Sequence, residues 1–288
     1  MVDTNIYRTK VIAIRSLKYI ILVAITLLWL FPFMIVVSGA FKSRSEELDY
    51  PPTLIPRNFV GFENFIEIFQ HGGRYAFGKY FRNSSIVTIS TTLIALFTST
   101  LAGYIFAKFS FRGRNILFFV ILSTMMIPIP VIVIPLFLMM SAFRWVNTFW
   151  ALIIPGLVYP FGIFLMRQFI KTIPDSFMDA ARLDGASEWR IYLRVIIPLT
   201  KAAFFALVMM LFLRSWNDFL WPLIVIEQST KWVLSVGIVQ AVQENIDETI
   251  NRSLLYAAII VTILPPIMIF VAVQRYFTGG LILTGMKE

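Results

Sequence analysis

Residues 19–41 read YIILVAITLLWLFPFMIVVSGAF, without a single charge. A helix needs about 20 apolar residues to cross the hydrocarbon core of a bilayer, so this run is long enough to span. It follows a basic leader (Arg8, Lys10, Arg15, Lys18) and closes on Ser38-Gly39-Ala40, small residues of the kind found at cleavage sites. A secretory signal carries only about 7–15 apolar residues, so the stretch reads as a retained first membrane helix.

The same reading continues outward along the chain. Apolar runs recur at 83–107, 115–143, 145–166, 202–226 and 253–274, the fifth interrupted by Arg214 and Asp218. None alternates apolar with polar residues as an outer-membrane barrel strand does. The prediction is an all-α polytopic membrane protein of six transmembrane helices. Composition agrees: 58% of the 288 residues are hydrophobic and 14% charged, against roughly 45–50% and about 25% in soluble domains. Cysteine is absent and His71 is the only histidine. Disulfides, thiolate metal sites, a cysteine nucleophile and histidine clusters are therefore excluded.

Lys and Arg near helix ends set orientation. With the N-terminus cytoplasmic, the inner segments hold fifteen basic residues, among them Lys108, Arg112, Arg114, Arg182, Arg190 and Arg194, and the outer segments nine. Both termini are therefore expected in the cytoplasm. Nine acids balance the outer bases, which leaves the net charge of +9 on the inner face. The basic balance then belongs to membrane topology and anionic headgroups. No nucleic-acid partner is expected, because no basic stripe is interleaved with stacking aromatics.

Two outer loops, 42–82 and 227–252, are large enough to receive an external partner, although a solvated connection explains them equally. Within the first, 58–69 has the apolar spacing of a short interfacial helix. Gly73 to Tyr80 imitates a nucleotide-cradling loop, but Tyr80 replaces the hydroxyl residue that holds Mg²⁺, and no strand precedes it. Any ATP used by this protein must be bound by another chain.

The inner segment 171–198 is the most informative part of the chain. Ser176 and Asp179 fit a capping box, a short helix is predicted over 177–183, and Asp184-Gly185 reads as a left-handed stop. Ser187 can cap a second helix in which Trp189, Leu193 and Ile196 recur at helical spacing. The result is a helix–turn–helix whose small and apolar residues call for a docking partner.

This segment resembles the signature of the inner-membrane permeases of ABC-type importers: Glu-Ala-Ala, three residues, Gly, nine residues, Ile-x-Leu-Pro. Here Asp179-Ala180-Ala181 is followed by three residues, Gly185, nine residues and Val195-Ile196-Ile197-Pro198. Asp replaces Glu, Val replaces Ile, and Ile replaces Leu. The resemblance extends through Pro52-x-Leu54-x-Pro56, Glu63-Asn64-Phe65, Asn83-Ser84, the stretch from Ala102 to Phe109, Met126-Ile-Pro128, the stretch from Ser215 to Pro222, and the tail from Gln274 to Lys287. It is nearest to the second permease of the carbohydrate-uptake, maltose-type branch.

The resemblance implies a type I permease bundle. A cytoplasmic leader (1–18) would precede the six-helix domain (19–276), with a cytoplasmic tail (277–288) after it. Segment 171–198 would be the coupling segment, with Asp179, Ala180, Ala181, Asp184, Gly185 and Ala186 as contact and turn residues against a cytoplasmic ATPase. Capping alone would also explain Asp179, and helix termination Gly185. The implied partners are a second permease in a heterodimer, two ATPase subunits, an extracytoplasmic solute-binding protein and a sugar. The chain itself would hold no cofactor and catalyse nothing, with ATP and Mg²⁺ on the ATPase. The setting would be a bacterial or archaeal plasma membrane.

Charged groups inside a membrane helix are functional candidates. Arg214 and Asp218 stand four apart and could pair. With Asn217 and the flanking Trp216 and Trp221 they would form a wet patch on which sugar rings can stack. The competing interpretation is a structural ion pair, with Trp221 an interface anchor. Pro128, Pro130 and Pro135 require a kink in the third helix, and Pro265-Pro266 in the sixth. Two rival functions are a self-sufficient secondary transporter and a transferase holding Mg²⁺ through Asp175, Asp179 and Asp184. No matching sequence halves favour the first, and Arg182 lies among the acids of the second.

Overall fold

The computed structural model describes residues 4–46, 53–70, 76–243 and 252–276. The tail 277–288, Gly73 of the nucleotide-loop lookalike, and Glu244, Asp247 and Glu248 of the second outer loop lie outside the described residues. Two compact units divide the chain, Met1–Ala76 with Asn245–Thr262, and Phe77–Glu244 with Ile263–Glu288.

In the first unit, helix α1 (Thr4–Ala40) carries its uncharged stretch with side chains such as Leu28 and Trp29 exposed. Outward apolar residues on a spanning helix face acyl chains. Gly39 is where α14 (Arg252–Val273) approaches, since a Cβ there would lie 2.2 Å from the Tyr256 ring. The loop after α1 is knotted around buried Glu46. Its carboxylate accepts the backbone N–H groups of Arg57 and Asn58 at 3.0 Å and the Thr53 hydroxyl at 2.9 Å. Burial raises the carboxyl pKa, but these donors and Lys42 together hold it below the usual carboxylate range. Of the helix expected over 58–69, only α2 (Glu63–Glu67) forms, with Phe41 packed against Phe59, Phe62 and Phe65.

The spine of the second unit is α3 (Phe77–Lys108), a continuous helix. It meets α7 (Pro160–Lys171) where side chains are smallest. A Cβ on Gly103 would sit 2.7 Å from the Met166 Cβ and 3.0 Å from the Arg167 backbone nitrogen, and one on Gly162 would sit 2.7 Å from Ser99 Oγ. Small residues let membrane helices approach backbone to backbone. Ala95, Leu96, Tyr104, Met166, Ile170 and Leu207 then close a core between α3, α7 and α11 (Lys201–Trp216).

Five helical stretches among the described residues can span: Ile14–Ala40, Phe77–Lys108, Phe149–Lys171, Lys201–Val225 and Arg252–Val273. The third apolar run is instead a bent pair, α4 (Arg114–Ser123, extended by a 3-10 turn to Met126) and α5 (Ile129–Ala142), meeting at 103°. The proline cluster predicts this break: Ile127 precedes Pro128 and is extended, as pre-proline residues prefer. Among the described residues the predicted count of six therefore becomes five stretches long and apolar enough to span, or six if the bent pair is one.

Two further runs have broken backbones, the fourth, which shows no charge in sequence, and the fifth, which Arg214 and Asp218 interrupt. The fourth stops at α6 (Phe149–Ile153), passes through a 3-10 turn at Ile154–Gly156, and resumes as α7. The fifth stops at Trp216 and resumes as α12 (Leu220–Val225). The described part of the loop expected outside, 227–243, is more than a solvated connection. It contains α13 (Leu234–Gln243), whose Leu234 and Val236 are buried. Asn83, fully buried on α3, donates to the carbonyls of Thr230 and Trp232, and Ser84 Oγ accepts the Leu234 N–H at 2.7 Å. That contact gives Asn83-Ser84 a structural reason.

Candidate functional site, an exposed knuckle and a cavity among broken helices

The segment after α7 folds as a knuckle. Helix α8 (Ser176–Leu183) ends at Gly185, whose φ of +76° is the left-handed stop expected of Asp184-Gly185. Ser187 caps α9 (Glu188–Ile191), accepting the Arg190 N–H. A π-helical turn (Tyr192–Ile196) and α10 (Ile197–Leu199, containing Pro198) lead into α11. The predicted capping box does not form. The N-cap residue is Asp175, without a side-chain cap bond. Its carboxylate is taken by Lys108 at 2.6 Å, while Asp179 turns to Arg182 at 2.9 Å.

Burial sorts the predicted coupling residues. Met178 and Ile191 anchor the knuckle in the core beneath α3 and α7, and Ala181 and Ala186 pack against that same core. Asp179, Ala180, Asp184 and Gly185 face outward. Leu183, which the sequence reading left as an ordinary helix residue, is 90% exposed at the tip, with Phe177 and Trp189 also exposed. The knuckle thus holds three large apolar side chains out of its own core.

The knuckle is braced by charge. Arg182 Nε donates to Glu188 Oε1 at 2.8 Å, and the Tyr104 hydroxyl donates to Glu188 Oε2 at 2.9 Å. The Arg182 hydrogen bond, above all, holds the Glu188 carboxyl below the usual range. A depressed folded pKa makes the bracing complete above the unfolded value of about 4.3 and loses it as pH falls through the folded value. Protection of amides 182–192 in the parent chain, corrected for the intrinsic exchange rate, is therefore expected to fall as the pH drops below the usual carboxylate range. In Glu188→Gln that acid-dependent fall is absent.

The second feature is a cavity of about 500 Å³. Three interruptions inside apolar runs meet it: Ile129 beyond the bend, Pro155 and Gly156 in the second, and Asn217, Asp218 and Phe219 in the third. On its other side Thr88 and Thr91 project from unbroken α3. Irregular backbone at membrane depth is tolerated where it is buried in protein or lines a water-filled space.

Of the predicted pathway residues, Arg214, Asn217 and Asp218 line the cavity, and so does Trp221. Trp216 does not. It is buried between Phe81 and Phe212, with ring centroids at 5.6 and 5.5 Å. The Arg214–Asp218 ion pair that their spacing allows is likewise not formed. Because α11 ends at Trp216, one-turn spacing no longer holds, and Arg214 lies over the Tyr159 ring at 4.8 Å. Trp221 Nε1 donates to the Ala151 carbonyl at 2.8 Å, so that residue ties α12 to α6. The sequence reading missed Thr88, Thr91 and Ser215; the Thr91 hydroxyl is buried and lacks a hydrogen-bond partner. Among the described residues no three His, Cys, Asp or Glu side chains converge to hold a metal.

Comparison with known proteins places this architecture. Residues 99–282 match the family described as binding-protein-dependent transport system inner membrane component. The chain is 35% identical, over 91% of its own length and 92% of the relative's, to the arabinooligosaccharides transport system permease protein AraQ of Bacillus subtilis. It is 30% identical to the sn-glycerol-3-phosphate transport system permease protein UgpE of Pectobacterium atrosepticum, over 92% and 95% of the two chains. A chain of a bacterial ABC transporter involved in import of the acidic polysaccharide alginate shares the fold at a TM-score of 0.80 and 23% identity, over 92% and 96% of the two chains. The chain thus belongs to the binding-protein-dependent inner-membrane components, the non-catalytic permease subunits of ABC importers.

Proposed function

We propose that this permease subunit carries a sugar or oligosaccharide, with its cavity as half of the pathway and its knuckle as the docking point for a cytoplasmic ATPase. The convergence of three helix breaks on one cavity carries the pathway reading. Substrate sites in transporters form where helices are interrupted, because freed backbone groups and water can both serve a polar solute. Thr91, Ser215, Asn217 and Asp218 offer both donors and acceptors, and the apolar walls match the ring faces of a sugar. Relatives named for arabinooligosaccharide and diacetylchitobiose uptake support that substrate class.

In this reading the bent α4–α5 pair counts as one crossing. That gives six crossings, with both termini cytoplasmic, a reading the excess of basic residues in the inner segments supports. A second permease completes the pathway, an external binding protein delivers the solute, and two ATPase subunits supply ATP and Mg²⁺. Leu183 and Ala180 fill the ATPase cleft while Met178 and Ile191 hold the knuckle to the membrane core.

The test is reconstitution of the purified complex in proteoliposomes with labelled arabinotriose. Uptake is expected only with ATP and the binding protein, and Asp218→Leu is expected to abolish it while leaving assembly intact. Uptake by the chain alone would replace this function with a secondary transporter.

A further inference from the structure

Helix α3 carries three polar residues at successive turns of its inner end, Thr100, Tyr104 and Lys108, which share one face at i, i+4 spacing. Each bonds a different part of the knuckle. Lys108 donates to the Asp175 carboxylate at 2.6 Å and to the Ile173 carbonyl, just ahead of α8. Tyr104 donates to Glu188 at the start of α9. The hydroxyls of Thr100 and Tyr192 lie 2.6 Å apart in the π-helical turn, and because Thr100 already donates to the Leu96 carbonyl, Tyr192 is the donor between them. The row is shielded: Tyr104 and Tyr192 are buried, and the Lys108 side chain is 5% exposed.

From this row we infer that Thr100, Tyr104 and Lys108 are positioning residues that transmit motion of the knuckle to the cavity through α3. The inference rests on the docking reading above. Helix α3 is unbroken and presents Thr88 and Thr91 to the cavity. From Thr91 to Tyr104 the helix rises roughly 20 Å. Helix α11 also runs from the knuckle to the cavity, which it lines with Leu211, Arg214 and Ser215, but it ends there at Trp216, whereas α3 spans the cavity and continues past it as one helix. Four bonds from three side chains, spread from the entry of α8 to the π turn, resist both sliding and rotation of the knuckle against that rod. Packing alone would not do so, because the core beneath is made of apolar contacts without direction.

The experiment uses the complete importer in proteoliposomes, with the ATPase that copurifies with the parent chain, and reads solute transported per ATP hydrolysed. Tyr104→Phe removes one oxygen and keeps the ring packing. Lys108→Met keeps the buried stem, and Thr100→Val keeps the side-chain volume. Tyr104→Phe with Lys108→Met is expected to retain the ATPase, melt as the parent does and continue hydrolysing ATP. Its solute per ATP is expected to fall about tenfold, the scale set by one hydrogen bond to a charged group. Thr100→Val is expected to lower the ratio, and Thr100→Ser, which keeps the hydroxyl, to restore it.

An unchanged ratio in the double variant overturns the inference and leaves the docking reading standing. Equal loss of transport and ATPase association also overturns it, since the row would then merely build the knuckle. Failure of the parent chain to hold any ATPase overturns the docking reading itself, and the inference with it. If the double variant does not reach the membrane, Tyr104→Phe alone decides between the same outcomes.

Discussion

Leu183→Asp is expected to yield a folded permease that no longer holds its ATPase. The side chain is 90% exposed and makes no part of the buried core, so the substitution leaves the protein's own stability unchanged. On docking, however, Leu183 would be the largest apolar group at the tip of the knuckle. Burying a leucine contributes about 1.5–3 kcal/mol, and an unpaired carboxylate in its place adds a desolvation cost. Together these predict association weakened at least about 100-fold. Titration of purified ATPase against the solubilised permease, with melting temperatures for both chains, measures the effect. Full retention of the ATPase by the variant would remove the knuckle from the interface. The neighbouring Ala181 gives the contrasting control, since it packs inward and its enlargement would disturb the fold before the interface.

Gly103→Val is expected to destabilise the protein strongly, because Gly103 is buried where α3 meets α7. Even the first added carbon meets Met166 Cβ at 2.7 Å and the Arg167 backbone nitrogen at 3.0 Å, and backbone cannot rotate away as a side chain can. Helices α3 and α7 must then separate along the line where they lie closest. Overpacking typically costs about 1–3 kcal/mol, and more where backbone must move. Each kcal/mol corresponds to roughly 2–4 °C of melting temperature for a chain of this size. A fluorescence melt in detergent reads the loss. Gly113→Ala is the control: its Cβ would meet nothing within 4 Å, although its φ of +83° still imposes a torsional penalty.

The two glycines also mark how far the fold could be read from sequence. Apolar runs located the spans because hydration governs which segments leave water, and that property is local. Run-averaged hydropathy is blind to backbone breaks, so the interruption at Pro155-Gly156 went unseen, and the one at Asn217–Phe219 showed only through the charges of Arg214 and Asp218. The prolines at 128 and 130 were legible because their effect is covalent. In the knuckle, Gly185 and Ser187 followed local rules, whereas Asp175 and Asp179 did not. Lys108 and Arg182 outbid the helix end for their carboxylates, and the first of those partners is 67 residues away. Tyr104 and Glu188 meet only in three dimensions. The single trace of that row in sequence is the recurrence of polar residues every fourth position at the inner end of an apolar helix. Trp216 misled for a related reason: its neighbours suggested a pathway, but its ring found Phe81 and Phe212.

Gly185 is required for its torsion alone, since a Cβ there would touch nothing. Asn and Asp are the side chains that enter the left-handed region most readily. A natural cousin bearing either one at this corner would therefore keep the same bend and the same exposed tip. Searches that demand glycine there would discard such cousins, while a template keyed to the corner's backbone angle and the outward leucine would recover them.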